Sequence, residues 1–313
     1  MKGMARKDKA KRFTRRSRIK KGRAARPIRK KLPVNNGARG NTTAAIPAVA
    51  RVATPARIPA SASAEALHQW MNKKANSHGR EAILMHRLCF DLQIAAARRG
   101  YYLNTYRDDV DHDGFDLIFD DQDSIKKTQV KTVNSRVPTG RWDIHKRILR
   151  PTLEHVEKLG FEPSQEGQGV EGSFILMQFD TSKPDIAVNY FYTDVYVCLA
   201  FEHEIVRRRH ASSRKAIARA LRSLRRGSGE ERVAVPKALM LQARGPAELL
   251  ALSGLHGPSE AAWQWHVSQI VNQTGPNPEP KMEFAQPLPE MKRLTAEEIR
   301  ALVADDDLLD GSL

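Results

Sequence analysis

Between Asp113 and Lys131 the chain reads DGFDLIFDDQDSIKKTQVK, and no other stretch restricts its fold and chemistry as much. Two short apolar runs flank a polar turn, which predicts a pair of strands at 115–119 and 127–133 joined near 121–124. Side chains alternate faces along a strand, so Gln129 and Lys131 project together. Asp116, two residues after Gly114, interrupts the apolar run FDLIF and can point at the same spot from the neighbouring strand. A carboxylate, an amide oxygen and an ammonium that converge can hold a hard divalent cation beside a scissile phosphate. Plainer roles exist for two of them, because polar residues alternating with Val130 are what most half-exposed strands carry. Asp116 is harder to assign an ordinary role, because it interrupts an otherwise apolar strand.

The flanking pattern gives the class. Over 77–99 the apolar residues Ile83, Leu84, Leu88, Leu92 and Ala95 or Ala96 recur at helical steps, and Gly100 follows as a stop. Residues 101–106 form a short aromatic strand, a short helix follows Pro151, and 174–179 and 186–192 are two further strands. Helix, three strands, helix, two strands is an α/β order with a mixed sheet. Beyond it, 212–226 predicts an amphipathic helix with Ile217, Ala220, Leu221 and Leu224 as its apolar stripe and Gly227 as its cap. Residues 246–252 and 259–271 read as helices, the second with Trp263, Val267, Ile270 and Val271 on its core side. Thr295 with Glu298 reads as a capping box starting a last short helix, followed by a solvated acidic end.

A helix with a glutamate near its start, then G-x-D on one strand and Q-x-K on the next, resembles the PD-(D/E)XK nuclease superfamily, in particular its restriction-endonuclease-like and Holliday-junction-resolvase-like branches. The likeness covers about residues 77–195 and rests on short motifs. It implies a restriction-endonuclease-like core, a central mixed sheet flanked by helices. It further implies a Mg²⁺-dependent endonuclease, with Mn²⁺ as a substitute, hydrolysing phosphodiester bonds of DNA. By this resemblance Asp116 binds the metal directly, and Gln129 takes the place of the second acid. Lys131 orients or activates water, and Glu81 completes the metal site as the helix glutamate. The sequence departs from the pattern where Phe115 precedes Asp116 and where Gln129 is neutral. A homodimer is the state in which many such nucleases cut both strands.

Charge divides the chain. Residues 1–40 hold seventeen Lys or Arg against Asp8 alone, which equals the +16 of the whole chain and leaves 41–313 neutral. Residues 1–63 are therefore expected to be a disordered basic arm and an Ala/Pro-rich linker. Such an arm attracts phosphate backbones without sequence preference, and it has no apolar face to enter a membrane. The expected organisation continues with a nuclease-like core over 64–200, a mainly helical extension over 201–275, and a Pro-rich then acidic tail over 276–313. A basic loop over 134–150, with Arg136, Arg141, Trp142, His145, Lys146, Arg147 and Arg150, is the expected nucleic-acid contact; Trp142 adds a stacking surface. The basic face of 212–226 is either a second contact or a solvated face.

Asp109-x-Asp111-x-Asp113-Gly114 matches the first half of an EF-hand loop, but Asp116 and Asp120 stand where an aliphatic residue and a bidentate glutamate belong. The aspartates then read as an acidic loop at the mouth of the site, with His112 within it. Cys89 and Cys198 lie in unrelated segments, so neither a disulfide framework nor a CxxC zinc site is available, and a reducing, cytoplasmic (in a bacterium, nucleoid-associated) location is expected. Two other functional classes stay open: a non-catalytic nucleic-acid-binding protein on the same fold, kept alive by the neutral Gln129, and an interaction protein whose arm binds an acidic partner.

Overall fold

The computed structural model describes residues 60–107, 114–164, 169–182, 185–229, 231–255, 262–274 and 287–311. The basic arm, most of the linker and the aspartates at 109, 111 and 113 with His112 lie outside the described residues. Ala56–Leu313 forms one compact unit, so the boundary expected at 200/201 does not separate two bodies.

The chain opens with α1 (Ala60–Asn72) and α2 (Ser77–Arg98). In α2 the buried residues are Leu84, Leu88, Leu92, Ala95 and Ala96, the stripe that the spacing predicts. It ends as its sequence dictates: Gly100 takes φ +79°, and the N–H groups of Gly100 and Tyr101 close on the carbonyls of Ala97 and Ala96. β1 (Asn104–Arg107), β2 (Leu117–Asp120) and β3 (Ile125–Asn134) follow as an antiparallel meander. The turn between β2 and β3 is held by Asp121, whose carboxylate accepts from the N–H groups of Asp123 and Ser124.

Residues 134–150, expected as a loop, instead contain β4 (Arg141–His145) and a 3-10 turn, Lys146–Leu149. The alternation was there to be read. Trp142 and Ile144 face inward between Arg141, Asp143 and His145, and the charges masked the period of two. α3 (Leu153–Val156) then leads to β5 (Ser173–Asp180), which pairs parallel with β3, and β6 (Ala187–Asp194) returns antiparallel. A parallel partner needs a long crossover, and 135–172 supplies it.

α4 (Val195–Glu202) starts directly from β6. Asp194 caps it by accepting the Val197 N–H and also receives Lys126 Nζ at 3.2 Å, the Tyr192 hydroxyl at 2.7 Å and Gln264 Nε2 at 3.1 Å. Both ions of this pair are buried, so the surrounding donors are what make the burial tolerable. β7 (Val206–Arg208), α5 (Ala211–Arg225), β8 (Arg232–Pro236), β9 (Leu241–Gln242), α6 (Pro246–Leu252), α7 (Ala262–Thr274), α8 (Leu288–Leu302) and β10 (Leu308–Asp310) complete the described elements. The central sheet runs β1-β2-β3-β5-β6-β9, while β4 pairs β8 and β7 pairs β10. The result is an α/β fold with a mixed central sheet flanked by helices.

Three expectations for the C-terminal part need correcting. The extension is not simply helical, because β9 is a strand of the central sheet and β8 covers β4. Thr295 does not start a helix; it sits buried inside α8 with its hydroxyl donating to the Met291 carbonyl at 2.7 Å, and Pro287 is the cap residue. The acidic end is docked rather than solvated. Arg208, 3% exposed, ion-pairs with Asp307 at 2.6 Å and Asp305 at 3.3 Å while donating to the carbonyls of Ala238 and Met240.

Candidate active site

The strand register sorts the site residues by face. Thr128 and Val130 share one face with Ile175, Met177, Tyr190 and Tyr192. Tyr190 donates its hydroxyl to Asp91 of α2 at 2.6 Å, and Asn134 donates to Asn72 of α1, so the first two helices cover this face. Gln129 and Lys131 belong to the other face, beside Phe174 and Leu176. It is covered by the start of the 3-10 turn after β4 and by Lys237, which donates to Gln178 at 3.1 Å and lies 4.0 Å from the Phe191 ring centroid. Burial pushes the Lys237 ammonium below its usual range, with Asp305 opposing. Lys237 had no signal in the sequence, where it is one lysine in VAVPKALM.

Asp116 comes to Gln129 and Lys131 by a specific device. It lies one residue before β2, whose first pair is Leu117 with Thr128, and its own N–H bonds the Thr128 carbonyl at 2.9 Å. Its carboxylate Oδ2 then accepts the Val130 N–H at 2.6 Å, so the acid is fixed against the backbone between the glutamine and the lysine. Val130 itself is 5% exposed, so this N–H would otherwise be buried without a partner. Gly114 makes the approach possible. It takes φ +76°, and a Cβ there would fall 2.7 Å from the His145 Cβ.

Gln129 is 4% exposed, and its Oε1 accepts the His145 N–H at 3.2 Å. His145 in turn pairs through Nε2 with Glu231 at 2.7 Å. Lys131 is half-buried, and no hydrogen bond or ion pair engages it among the described residues. Glu81 is not brought to this place: it is exposed on α2, a helix that packs on the opposite face. Among the described residues no three His, Cys, Asp or Glu side chains gather as a metal group. Among the described residues the donors at hand are therefore one carboxylate and one amide oxygen. That set suits a hard cation which keeps several waters and substrate oxygens, as Mg²⁺ does.

The basic segment divides likewise. Arg136 and Arg141 are exposed, and Trp142 is half-buried against the core. His145, Lys146, Arg147, Ser164 and Glu231 line a recess of about 410 Å³ beside the candidate site. Arg150 is a structural residue: at 2% exposure it donates to the carbonyls of Leu224, Arg226 and Glu162, staking the C-terminus of α5. It also lines that recess, with both terminal guanidinium nitrogens engaged by these carbonyls. The chain matches no protein-family model, no curated protein and no solved structure.

Proposed function

We propose that the chain is a metal-dependent nuclease of the restriction-endonuclease-like kind, acting on DNA phosphodiester bonds at Asp116, Gln129 and Lys131. The observation that carries the reading is the Val130 N–H bond to Asp116 Oδ2, because it pins a carboxylate between Gln129 and Lys131. Gly114-x-Asp116 leading into β2 and Gln129-x-Lys131 within β3 keep the order on which the resemblance rests.

In this reading Asp116 and the Gln129 carbonyl oxygen hold a Mg²⁺ ion, which when bound supplies Lewis-acid charge to a phosphate oxygen. An amide oxygen accepts at two sites, so the bond from His145 leaves the Gln129 oxygen acceptor capacity. Lys131 holds positive charge on the same face, where its ammonium donates to an oxygen of the phosphate and stabilises charge developing there. The bond between the His145 N–H and Gln129 keeps the amide oxygen oriented. Arg136, Arg141 and the basic arm add sequence-independent attraction for the backbone.

A second reading has its own observation. Gln129 is buried and already engaged, and Glu81 stands on the opposite side of the sheet, which favours a nucleic-acid-binding protein without catalysis. Supercoiled, linear and branched DNA incubated with Mg²⁺ or Mn²⁺ separates the two. Cutting by the wild type that Lys131→Ala loses, with binding in EDTA retained, is the nuclease outcome. Equal binding by both proteins with no cutting on any substrate selects the second reading.

A further inference from the structure

The two basic segments singled out in the sequence, 134–150 and 212–226, meet in space. Lys146, at the start of the 3-10 turn, is 7% exposed and reaches across to donate from Nζ to the Ser228 carbonyl at 3.3 Å. Ser228 follows the C-terminus of α5, whose outer face carries Arg219 and Arg222, with Arg226 at its cap. Together with Lys146 these line a concave recess of about 500 Å³ that also has Ser223 and Gly229 in its wall and no carboxylate among its described lining residues.

Three features set this recess apart from an ordinary solvated helix face. First, α5 has no acidic residue along its length, so Arg219 and Arg222, three residues apart, repel one another with no i,i+4 acid within the helix to offset them. Second, the other arginines near this helix have structural partners: Arg225 pairs with Glu202, Arg214 donates to the carbonyls of Arg208 and Arg209, and Arg150 stakes the C-terminus. Arg219, Arg222 and Arg226 make no such contacts among the described residues. Third, the surface is concave and has a buried ammonium at its base, contributed by a segment 82 residues away. The favourable end of the helix dipole explains cations in the last turn, but it explains neither the concavity nor Lys146.

We infer that this recess is a binding site for phosphate groups of a nucleic-acid backbone, held by Arg219, Arg222 and Arg226 over Lys146. Its described wall contains no aromatic ring on which a base could stack, so it holds the backbone and reads no base. Lys146 also lines the recess beside His145, whose N–H bonds Gln129, so one strand can run from the candidate site over Lys146 to α5. The inference rests on nucleic-acid binding, which both readings share, and not on cleavage.

The test is the salt dependence of binding, measured on the full chain by fluorescence anisotropy with a labelled DNA duplex in EDTA, where no cutting occurs. Each neutralised phosphate contributes about 0.9 to the slope of log K against log salt, so Arg219→Gln/Arg222→Gln/Arg226→Gln should flatten it by about 2 to 3. The same triple change to lysine keeps the charge and should restore most of the slope. These side chains are exposed and unpaired, so a melting temperature close to wild type is expected and verifies folding. An unchanged slope in the glutamine variant overturns the site. Inorganic phosphate alone is the second arm: if it saturates the recess as tightly as DNA does, the ligand is a small anion and the nucleic-acid assignment fails. A failed cleavage assay leaves this result untouched.

Discussion

Asp116 has two jobs in this structure, and two substitutions separate them. Its Oδ2 accepts the buried Val130 N–H at 2.6 Å, which is a bond to an ionised acceptor. Such bonds contribute about 1.5–3 kcal/mol, and leaving the N–H unpaired forfeits that amount. Asp116→Ala should therefore unfold more easily by about 2 kcal/mol. Asp116→Asn keeps an oxygen in the same place and should recover about half of the loss, as a neutral bond contributes about 0.5–1.5 kcal/mol. With a urea m-value of about 2–3 kcal/mol/M, the alanine variant's midpoint falls by about 0.7–1 M and the asparagine variant's by about half of that. The charge job behaves differently: both variants remove the Asp116 carboxylate from the candidate cation site, so both should abolish Mg²⁺-dependent cutting equally. Stability should rank wild type, Asn, Ala, while activity should show only wild type. An alanine variant as stable as wild type would refute the hydrogen bond as the organising contact, and an asparagine variant that still cuts would refute Asp116 as a metal ligand.

Gln129→Glu puts a second carboxylate against Asp116, and its thermal midpoint should be lower than wild type without metal and rise more on adding Mn²⁺; equal Mn²⁺ shifts in both proteins would place Gln129 outside any cation site. Arg150→Met leaves three carbonyls without their donor and should cost at least about 3 kcal/mol in urea unfolding, yet the salt slope for DNA of the folded variant should match wild type. His203 is pushed down to about 4 by burial, with Arg225 and Lys292 adding to it, while its Nδ1 meets the Thr274 hydroxyl at 3.0 Å. The folded protein then binds fewer protons than the unfolded chain below the ordinary histidine value. This stability is present above about pH 6.5 and is lost as pH falls toward about 4, by about 2 kcal/mol between about pH 7.5 and about pH 5. His203→Asn should remove that part of the pH dependence, with the carboxylate contributions cancelling between the two proteins; parallel curves would contradict it.

Where the sequence was legible, one period dominated. The apolar stripe of α5 is buried at Ile217, Ala220, Leu221 and Leu224, and that of α7 at Trp263, Val267, Ile270 and Val271, as their spacing requires. The β2–β3 hairpin was legible because its apolar runs are short and bounded by a polar turn. α4 was not, because VYVCLAFE is apolar on all sides and shows no period. β9 has two residues, too few to carry a pattern, and exists because Phe191 and Tyr192 offer it an edge. Gly227 was read as a left-handed cap, but its role is close packing: a Cβ there would overlap the Pro163 carbonyl oxygen. That Gln129 and Lys131 share a face was legible through strand alternation, whereas the bond that fixes Asp116 beside them was not. Glu81 was carried over from the resemblance alone, and periodicity says nothing about which side of a sheet a helix will cover. Arg150 and Arg141 look alike in a sequence, and only the carbonyls around Arg150 distinguish a strut from a surface cation.

The bond between Val130 and Asp116 joins residues 14 apart, whereas Lys146 meets Ser228 across 82 residues and Arg208 meets Asp307 across 99. Closing a loop costs more entropy as it lengthens, and folds rich in distant contacts assemble slowly. The hairpin that carries the candidate site can thus form while the rest of the chain is still being synthesised. The recess over Lys146 must wait until α5 and the turn after it have emerged, and the lock on the acidic end comes last. A ribosome-stalled chain ending shortly after β3 would already hold the acid against its strand, with nothing yet built to grip a phosphate backbone beside it.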